Sequence, residues 1–439
     1  PIKVDTDKRP DVNERYNAGG WPTTAILTPK GSVIQAATYV APEQMIIFLK
    51  SSINYFRTNE KELDLNLQKT LQEKTSKTML LNTQDLVENV VLEAKSSYDQ
   101  SFGGFGFEPK FPMPDVLSFL EFYYLHSKDT QVEEILKKTL TSMAKNGLFD
   151  TEEFGFFRYS TTRDWSIPHF EKMLEDNALL LSVYVDAAKL FGDEIFSGTA
   201  KKIIDYLLNN FFDEKEKMFY ASQDADEKYY SLSLNERKKL VSPAIDRTFF
   251  VDLNCIAAGS FLKAYSLFGE EKYKVIGLDC LKKIYEKNIF DSRVLHYEND
   301  LEKVNGFLSD YTLLINASLN AYFYSQDKFF LEKAVAVSEV CKKKFFDDTQ
   351  KVFFYVEQNN EVGFLQQRKA NPKLNSLMSL NLALLNDLQP NDELVNMSGS
   401  LNLFSAGKSI EMGIFGAFSA KTVLILENLI GLKTSLLEF

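Results

Sequence analysis

Two kinds of hydrophobic pattern divide the chain. In residues 1–57 the apolar positions come in short blocks: "PIKVD" reads as a strand, and the polar "TDKRPDVNERYNAGG" follows it. Then come the strand "WPTTAILTP", the turn "KGS", a second strand "VIQAATYV" and the helical "PEQMIIFLKSSINYF". Strand, hairpin and helix in this order match the second half of a thioredoxin fold, whose first half is then expected upstream of Pro1. Pro22 stands where thioredoxins carry a cis-proline, although an ordinary strand-entry proline would fit the same pattern. The charged "TNEKELDLNLQKTLQEKTSK" predicts a helical or irregular linker over residues 58–84.

From residue 85 to 439 the apolar spacing is helical, as in "DVLSFLEFYYLHS", "NCIAAGSFLKAYSLFG" and "DYTLLINASLNAYFYSQD". The helices are punctuated by a recurring aromatic–Asp pair, a few turn residues and another aromatic. The copies are "YDQSFGGFGF", "FDTEEFGFF", "FDEKEKMFY", "FDSRVLHY" and "FDDTQKVFFY". In each, the Asp is expected to accept backbone hydrogen bonds in a turn while the aromatics pack over helix ends. Five such turns and a weaker final pair imply six helical hairpins. Units that bury their faces only on neighbours form a solenoid or close on themselves. Long, unequal aromatic turns favour closure, so the predicted architecture is mainly α, an (α/α)6 toroid preceded by a partial thioredoxin-like α/β domain.

Composition narrows the partners. A net charge of −11 with no basic stripe argues against nucleic acid. Cys255, Cys280 and Cys341 lie far apart with no metal-ligand spacing, which points to buried thiols in a reducing, cytoplasmic compartment. No cofactor or metal is expected. The apolar "FGAFSAKTVLILENLIGL" is broken by Lys421 and Glu427, so no membrane span is expected there.

Candidate chemistry gathers in "RYSTTRDWSIPHFEKMLEDNALLL". If a helix starts near His169, then His169, Lys172 and Asp176 share one stripe, and a carboxylate beside a histidine sets its tautomer and basicity. A solvated helix face would look the same. Arg158 and Trp165 crowd this segment, as aromatics and charges do on sugar platforms. Asp224 and Asp226 in "SQDADEKYY" could hold hydroxyls or simply form a turn. Lys110 could reach a funnel or stand on its rim, and Asp310 could cap a helix or face inward. His126 and His296 have no neighbours that recommend them, so both are expected to be structural or solvent-exposed.

The segments "PIKVDTDKRPDVNERY", "GGWPTTAILTP", "YDQSFGGFGFEPKFP", "FRYSTTRDWSIPHFEKMLEDNALL" and "FYASQDAD" resemble, in order, the thioredoxin-domain-containing family of YyaL-like and spermatogenesis-associated proteins. That family joins a thioredoxin-like domain to a toroid similar to six-hairpin glycosidases and N-acylglucosamine 2-epimerases. The resemblance implies a saccharide ligand, with a protein partner for the thioredoxin-like domain as a further expectation. It suggests epimerisation or isomerisation of a reducing sugar, with His169 as acid or base and Asp176 or Asp310 orienting it. Lys110, Arg158, Trp165, Asp224, Asp226 and Asn254 would bind substrate. Glycoside hydrolysis and a non-catalytic scaffold are the alternatives. The chain departs from the family pattern at "NAG", "EKYYSL" and "DLNCIA", and residues 1–57 contain no cysteine to support thiol chemistry.

Overall fold

The computed structural model describes residues 1–72, 82–358 and 361–432. The chain divides into two compact units, Pro1–Lys77 with Cys341–Asn371, and Thr78–Val340 with Pro372–Phe439.

The first unit holds α1 (Pro10–Tyr16), the antiparallel strands β1 (Thr24–Leu27) and β2 (Val33–Ala37), and α2 (Pro42–Gln72). The Trp21–Pro22 bond is cis, as the thioredoxin reading expects. Pro1–Asp5, in contrast, is exposed and joins no ladder, so "PIKVD" is extended chain rather than a paired strand. The expected linker is helical as far as Gln72, because α2 continues through it with a kink at Asn59. There the Asn59 side chain donates back to the Tyr55 carbonyl at 2.9 Å. Residues 341–371, expected in the toroid, group with this unit for a visible reason. Arg15 donates to the Gln367 carbonyl at 2.9 and 2.7 Å, and Lys369 to the Glu14 carbonyl at 2.8 Å. Gly31 and Gly363 also touch so closely that a Cβ on Gly31 would fall 2.8 Å from Gly363 Cα.

The second unit is built from helix pairs. Its helices are α3 (Thr83–Ser97), α4 (Pro114–Ser127), α5 (Thr130–Lys145), α6 (Leu174–Phe191), α7 (Glu194–Tyr206), the short α8 (Glu227–Tyr230) and α9 (Leu234–Arg237), α10 (Val251–Phe268) and α11 (Glu271–Lys287). They continue with α12 (Leu308–Ser325), α13 (Lys328–Phe345, shared with the first unit), α14 (Pro372–Leu388), α15 (Asp392–Ser409) and α16 (Ala417–Leu432). Six of them, α4, α6, α10, α12, α14 and α16, pack each on the next, and α16 packs back on α4. The toroid is closed.

Sequence explains which helices lie inside. Helix α6 buries Leu174, Ala178, Leu180, Leu181, Val183, Tyr184 and Val185, which cover most of its circumference. Outer helix α5 buries one stripe: Val132, Ile135, Leu136, Leu140 and Met143. Inner-to-outer turns repeat a residue with positive φ followed by an acid: Lys128–Asp129, Gly192–Asp193, Gly269–Glu270 and Gln326–Asp327. Asp129 and Asp193 then cap α5 and α7. Returning turns are the aromatic hairpins. Their pairs, Tyr98 with Phe105, Phe149 with Phe156, Phe212 with Phe219 and Phe346 with Phe353, are seven residues apart each time. Asp99, Asp213 and Asp347 accept backbone N–H bonds two and three residues on, as expected.

The stretch Asp392–Asn428 is long and apolar enough by composition to cross a membrane. It is not one helix. A 3-10 segment, Ile410–Gly416, with Gly413 at φ 56°, separates α15 from α16, and α16 is a member of the ring.

Candidate functional site

Each inner helix from α4 to α12 opens with an acidic residue in its first turn: Asp115, Glu175 with Asp176, Asp252 and Asp310. Helix N-termini favour such anions, and these starts converge. Lys373 at the start of α14 pairs with Asp115 at 2.5 Å, and Ser309 Oγ donates to Asp252 at 3.3 Å. The charge of Glu175 reaches Asp176, Asp252 and Lys373 alike. This end of the ring holds two histidine–carboxylate groups.

The first is centred on His169. It does not start a helix. Pro168–His169 pairs as a short strand with Tyr159–Ser160, Lys172–Met173 pairs with Ser222–Gln223, and α6 begins only at Leu174. The expected stripe of His169, Lys172 and Asp176 is therefore absent. His169 is partly exposed, stacked on Tyr159 (centroids 5.1 Å apart), with Nε2 3.6 Å from Glu171 Oε2. Arg158 donates to the same Glu171 oxygen at 2.8 Å, so it holds the carboxylate. Asp176 lies in the field of Glu171 and Arg158. Its burial, with Glu175 and Glu171 adding to it against Arg158, pushes its carboxyl up to about 7.

The second group corrects the reading of His296 as an unsupported histidine. His296 is buried on the strand Arg293–Glu298, with Nδ1 2.9 Å from Asp310 Oδ1 and 4.0 Å from Asp252 Oδ1. Phe250, Tyr297 and Phe307 surround its ring. The other Asp310 oxygen accepts the Phe307 N–H at 2.8 Å. Asp310 thus caps α12 and faces inward, but it orients His296, not His169. A carboxylate at Nδ1 puts the proton there and directs basicity to Nε2. Burial, then the nearby Asp310, raises Asp252 to about 7 against the opposing pull of His296. Ligand atoms of Asp252, His296 and Asp310 lie within 4.8 Å of one another, a donor set that could also hold a divalent cation. Sequence missed this group because His296 and its partners are 14 and 44 residues apart on different elements. The signal was the first-turn acid shared by successive inner helices.

The remaining candidates are structural. Lys110 is buried, and its ammonium bonds Asp99 at 2.7 Å and the Gly103 carbonyl at 2.9 Å. Lys172 repeats this arrangement one hairpin later, bonding Asp150 at 2.8 Å and the Phe154 carbonyl at 2.7 Å. Arg163 and Arg237 supply the second cation to Asp99 and Asp150. Trp165 is no platform. It is fully buried, donates to the Phe102 carbonyl at 3.1 Å, and presses on Gly104, where a Cβ would meet its ring at 2.4 Å. Asn254, buried, straps α10 to its hairpin through the Phe219 N–H (2.7 Å) and carbonyl (3.0 Å). Asn177 does the same for Phe156 at 2.7 and 3.0 Å. Asp226 caps α8, and Asp224 is exposed beside it, so this pair forms a turn. The three cysteines are free and buried, and His126 Nδ1 lies 2.9 Å from the Phe122 carbonyl.

Comparisons with known proteins agree with this architecture. Residues 1–78 match the thioredoxin-like DsbH family model, described as "Protein of unknown function, DUF255". Spermatogenesis-associated protein 20 from human is 34% identical over 51% of this chain and 32% of its own length, and the rat protein is 33% identical over the same shares. The chain thus matches about a third of the length of these relatives. An uncharacterized protein from Caenorhabditis elegans is 25% identical over 89% of this chain and 71% of its own. Among solved structures, a sugar epimerase from a ruminal bacterium superposes with TM-score 0.60 at 12% identity, covering 72% of this chain and 84% of the epimerase. A D-mannose isomerase gives 0.59 at 12% (75% and 86%), and a family 76 glycoside hydrolase from Bacteroides thetaiotaomicron gives 0.56 at 13% (80% and 79%). The chain is therefore similar to spermatogenesis-associated protein 20, carries a DUF255 thioredoxin-like segment over residues 1–78, and shares the (α/α)6 toroid fold of these solved structures.

Proposed function

We propose that the toroid is an epimerase or isomerase acting on a reducing sugar at the end of the ring where the inner helices begin. The observation that supports this reading is the presence of two histidine–carboxylate groups, His169 with Glu171 and His296 with Asp310, at that one end. Inverting a carbon next to a carbonyl requires one group to remove a proton and another to return it on the opposite face. Sequence offered one such histidine, and His296 supplies the second. In the open-chain sugar one imidazole takes the proton from C2, the electron pair moves into the carbonyl to give an enediolate, and the other imidazolium reprotonates C2. Asp310 holds the His296 tautomer, Arg158 holds Glu171, and a carboxyl near neutrality at Asp176 or Asp252 can donate to the carbonyl oxygen. The solved epimerase and isomerase share this fold.

A second reading, glycoside hydrolysis, has one specific support. Asp176 and Asp252 are both held near 7, where a carboxyl can serve as general acid beside an ionised partner.

One incubation separates the two. Mono- and disaccharides are kept with the protein in D2O and followed by NMR. Epimerisation puts deuterium at C2 of a reducing sugar with the glycosidic bond intact, and His296→Ala and His169→Ala each lower the rate by about 10²–10⁴-fold. Bond cleavage without exchange would replace this reading by the hydrolase. Binding with neither reaction would leave a non-catalytic toroid.

A further inference from the structure

A polar chamber lies among the inner helices α4, α6 and α16, away from the histidine groups. It is a cavity of about 200 Å³ whose lining includes Ser118, Glu121 and Leu125 of α4, Asp186 and Lys189 of α6, and Lys421 of α16. Asp186 and Lys189 belong to the last two turns of α6, whereas Glu175 and Asp176 open it. At 1.5 Å per residue, Lys189 is about 20 Å along the helix from Asp176.

The charged groups here are unequally satisfied. Asp186 is paired with Lys263 of α10, and Lys189 donates to Ser266 Oγ at 2.5 Å. Glu121, 2% exposed, has no hydrogen-bond partner among the described residues on either carboxyl oxygen. Among the described residues Lys421 has one acceptor, Ser118 Oγ at 2.7 Å, for three N–H groups. Burial, with Asp186 adding to it, holds Glu121 far above the usual carboxylate range despite Lys263 and Lys421. Burial and Lys263 pull Lys421 down to about 8. The chamber therefore presents the Lys421 ammonium and the Glu121 carboxyl, with Lys189 beside them and Phe122, Leu125 and Leu190 as an apolar wall. Burying such groups unpartnered is costly, and packing alone gives no reason for it.

We propose that this chamber is a binding site for a small monocarboxylate. Its carboxylate accepts one hydrogen bond from the Lys421 ammonium and one from the Glu121 hydroxyl, and its short carbon chain lies on Phe122, Leu125 and Leu190. A cation does not fit, since Lys189, Lys263 and Lys421 outnumber Glu121 and Asp186.

The test is a titration of the full chain with lactate, read by saturation-transfer NMR, with methylammonium as the cationic control. Lactate saturates the wild type. Lys421→Met weakens it about tenfold or more, and Leu125→Trp, which fills the mouth from a partly exposed position, removes binding while leaving the melting temperature in place. His296→Ala leaves lactate binding unchanged, which keeps this site separable from the sugar reading. Absence of saturable lactate binding, binding indifferent to both pocket variants, or preference for methylammonium overturns the proposal.

Discussion

Lys110 and Lys172 look alike in sequence, each just after a Phe–Glu pair ahead of an inner helix, and the structure gives them one role. Each neutralises the Asp of the preceding aromatic turn and bonds a carbonyl four residues beyond that Asp. Arg163 and the ammonium of Lys110 hold the Asp99 carboxyl well below the usual range against the opposing effect of burial. Asp99→Asn leaves Lys110 buried without its counter-ion and is expected to cost about 3–5 kcal/mol in urea unfolding. Asp176 behaves in the opposite sense. Its folded value near 7 exceeds the unfolded 3.8, so its contribution is complete below about pH 4 and is lost as pH rises through 7. Part of its side chain still meets solvent, which limits the effect. Asp176→Asn should then be more stable than wild type at pH 8 by about 1–2 kcal/mol, with no advantage at pH 4. Sequence named Asp176 and Asp310 as candidates but attached both to His169. Which carboxylate meets which histidine is set by strand pairings and ring closure, which no local spacing encodes.

At the scale of elements, the segment before α6 is where helical periodicity misled. "PHFEKM" has the apolar spacing of a helix entry, yet its backbone is engaged elsewhere. His169 faces Tyr159, Lys172 and Met173 pair with Gln223 and Ser222, and the Leu174 N–H reaches the Ala221 carbonyl at 2.9 Å. Ala221, Ser222 and Gln223 come from another hairpin about 50 residues on, so tertiary pairing overrides local propensity. The aromatic turns, by contrast, were legible because their Asp-to-backbone bonds are local. Asn177 and Asn254 connect the two levels, since α6 and α10 each grip a hairpin through one buried amide. Asn254→Leu leaves the Phe219 N–H and carbonyl unpaired in the core and is expected to cost about 2–4 kcal/mol. Asn254→Asp keeps the acceptor but loses the donor, and should fall between the two in thermal melts.

On the scale of the whole ring, the repeats were visible in the sequence, but closure was only favoured over an open superhelix. The difference has a thermodynamic signature. In an open array the last helix touches its own neighbour, and removing it subtracts one interface from a nearly additive sum. Here α16 packs on α14 and on α4, with Thr83 Oγ1 donating to Glu427 at 3.1 Å and Lys421 to Ser118 at 2.7 Å. Ala417, Ala420 and Val423 are fully buried in that seam, and Leu86 on α3 and Leu117 and Leu120 on α4 are buried nearby. Deleting residues 417–439 therefore opens the ring, and it exposes the faces of both α4 and α14 that α16 covers. The expected result is loss of a cooperative thermal transition and rapid limited proteolysis within 83–127. A truncated chain that still melts in one transition, only a few degrees lower, would identify the ring as an array whose ends touch without depending on each other.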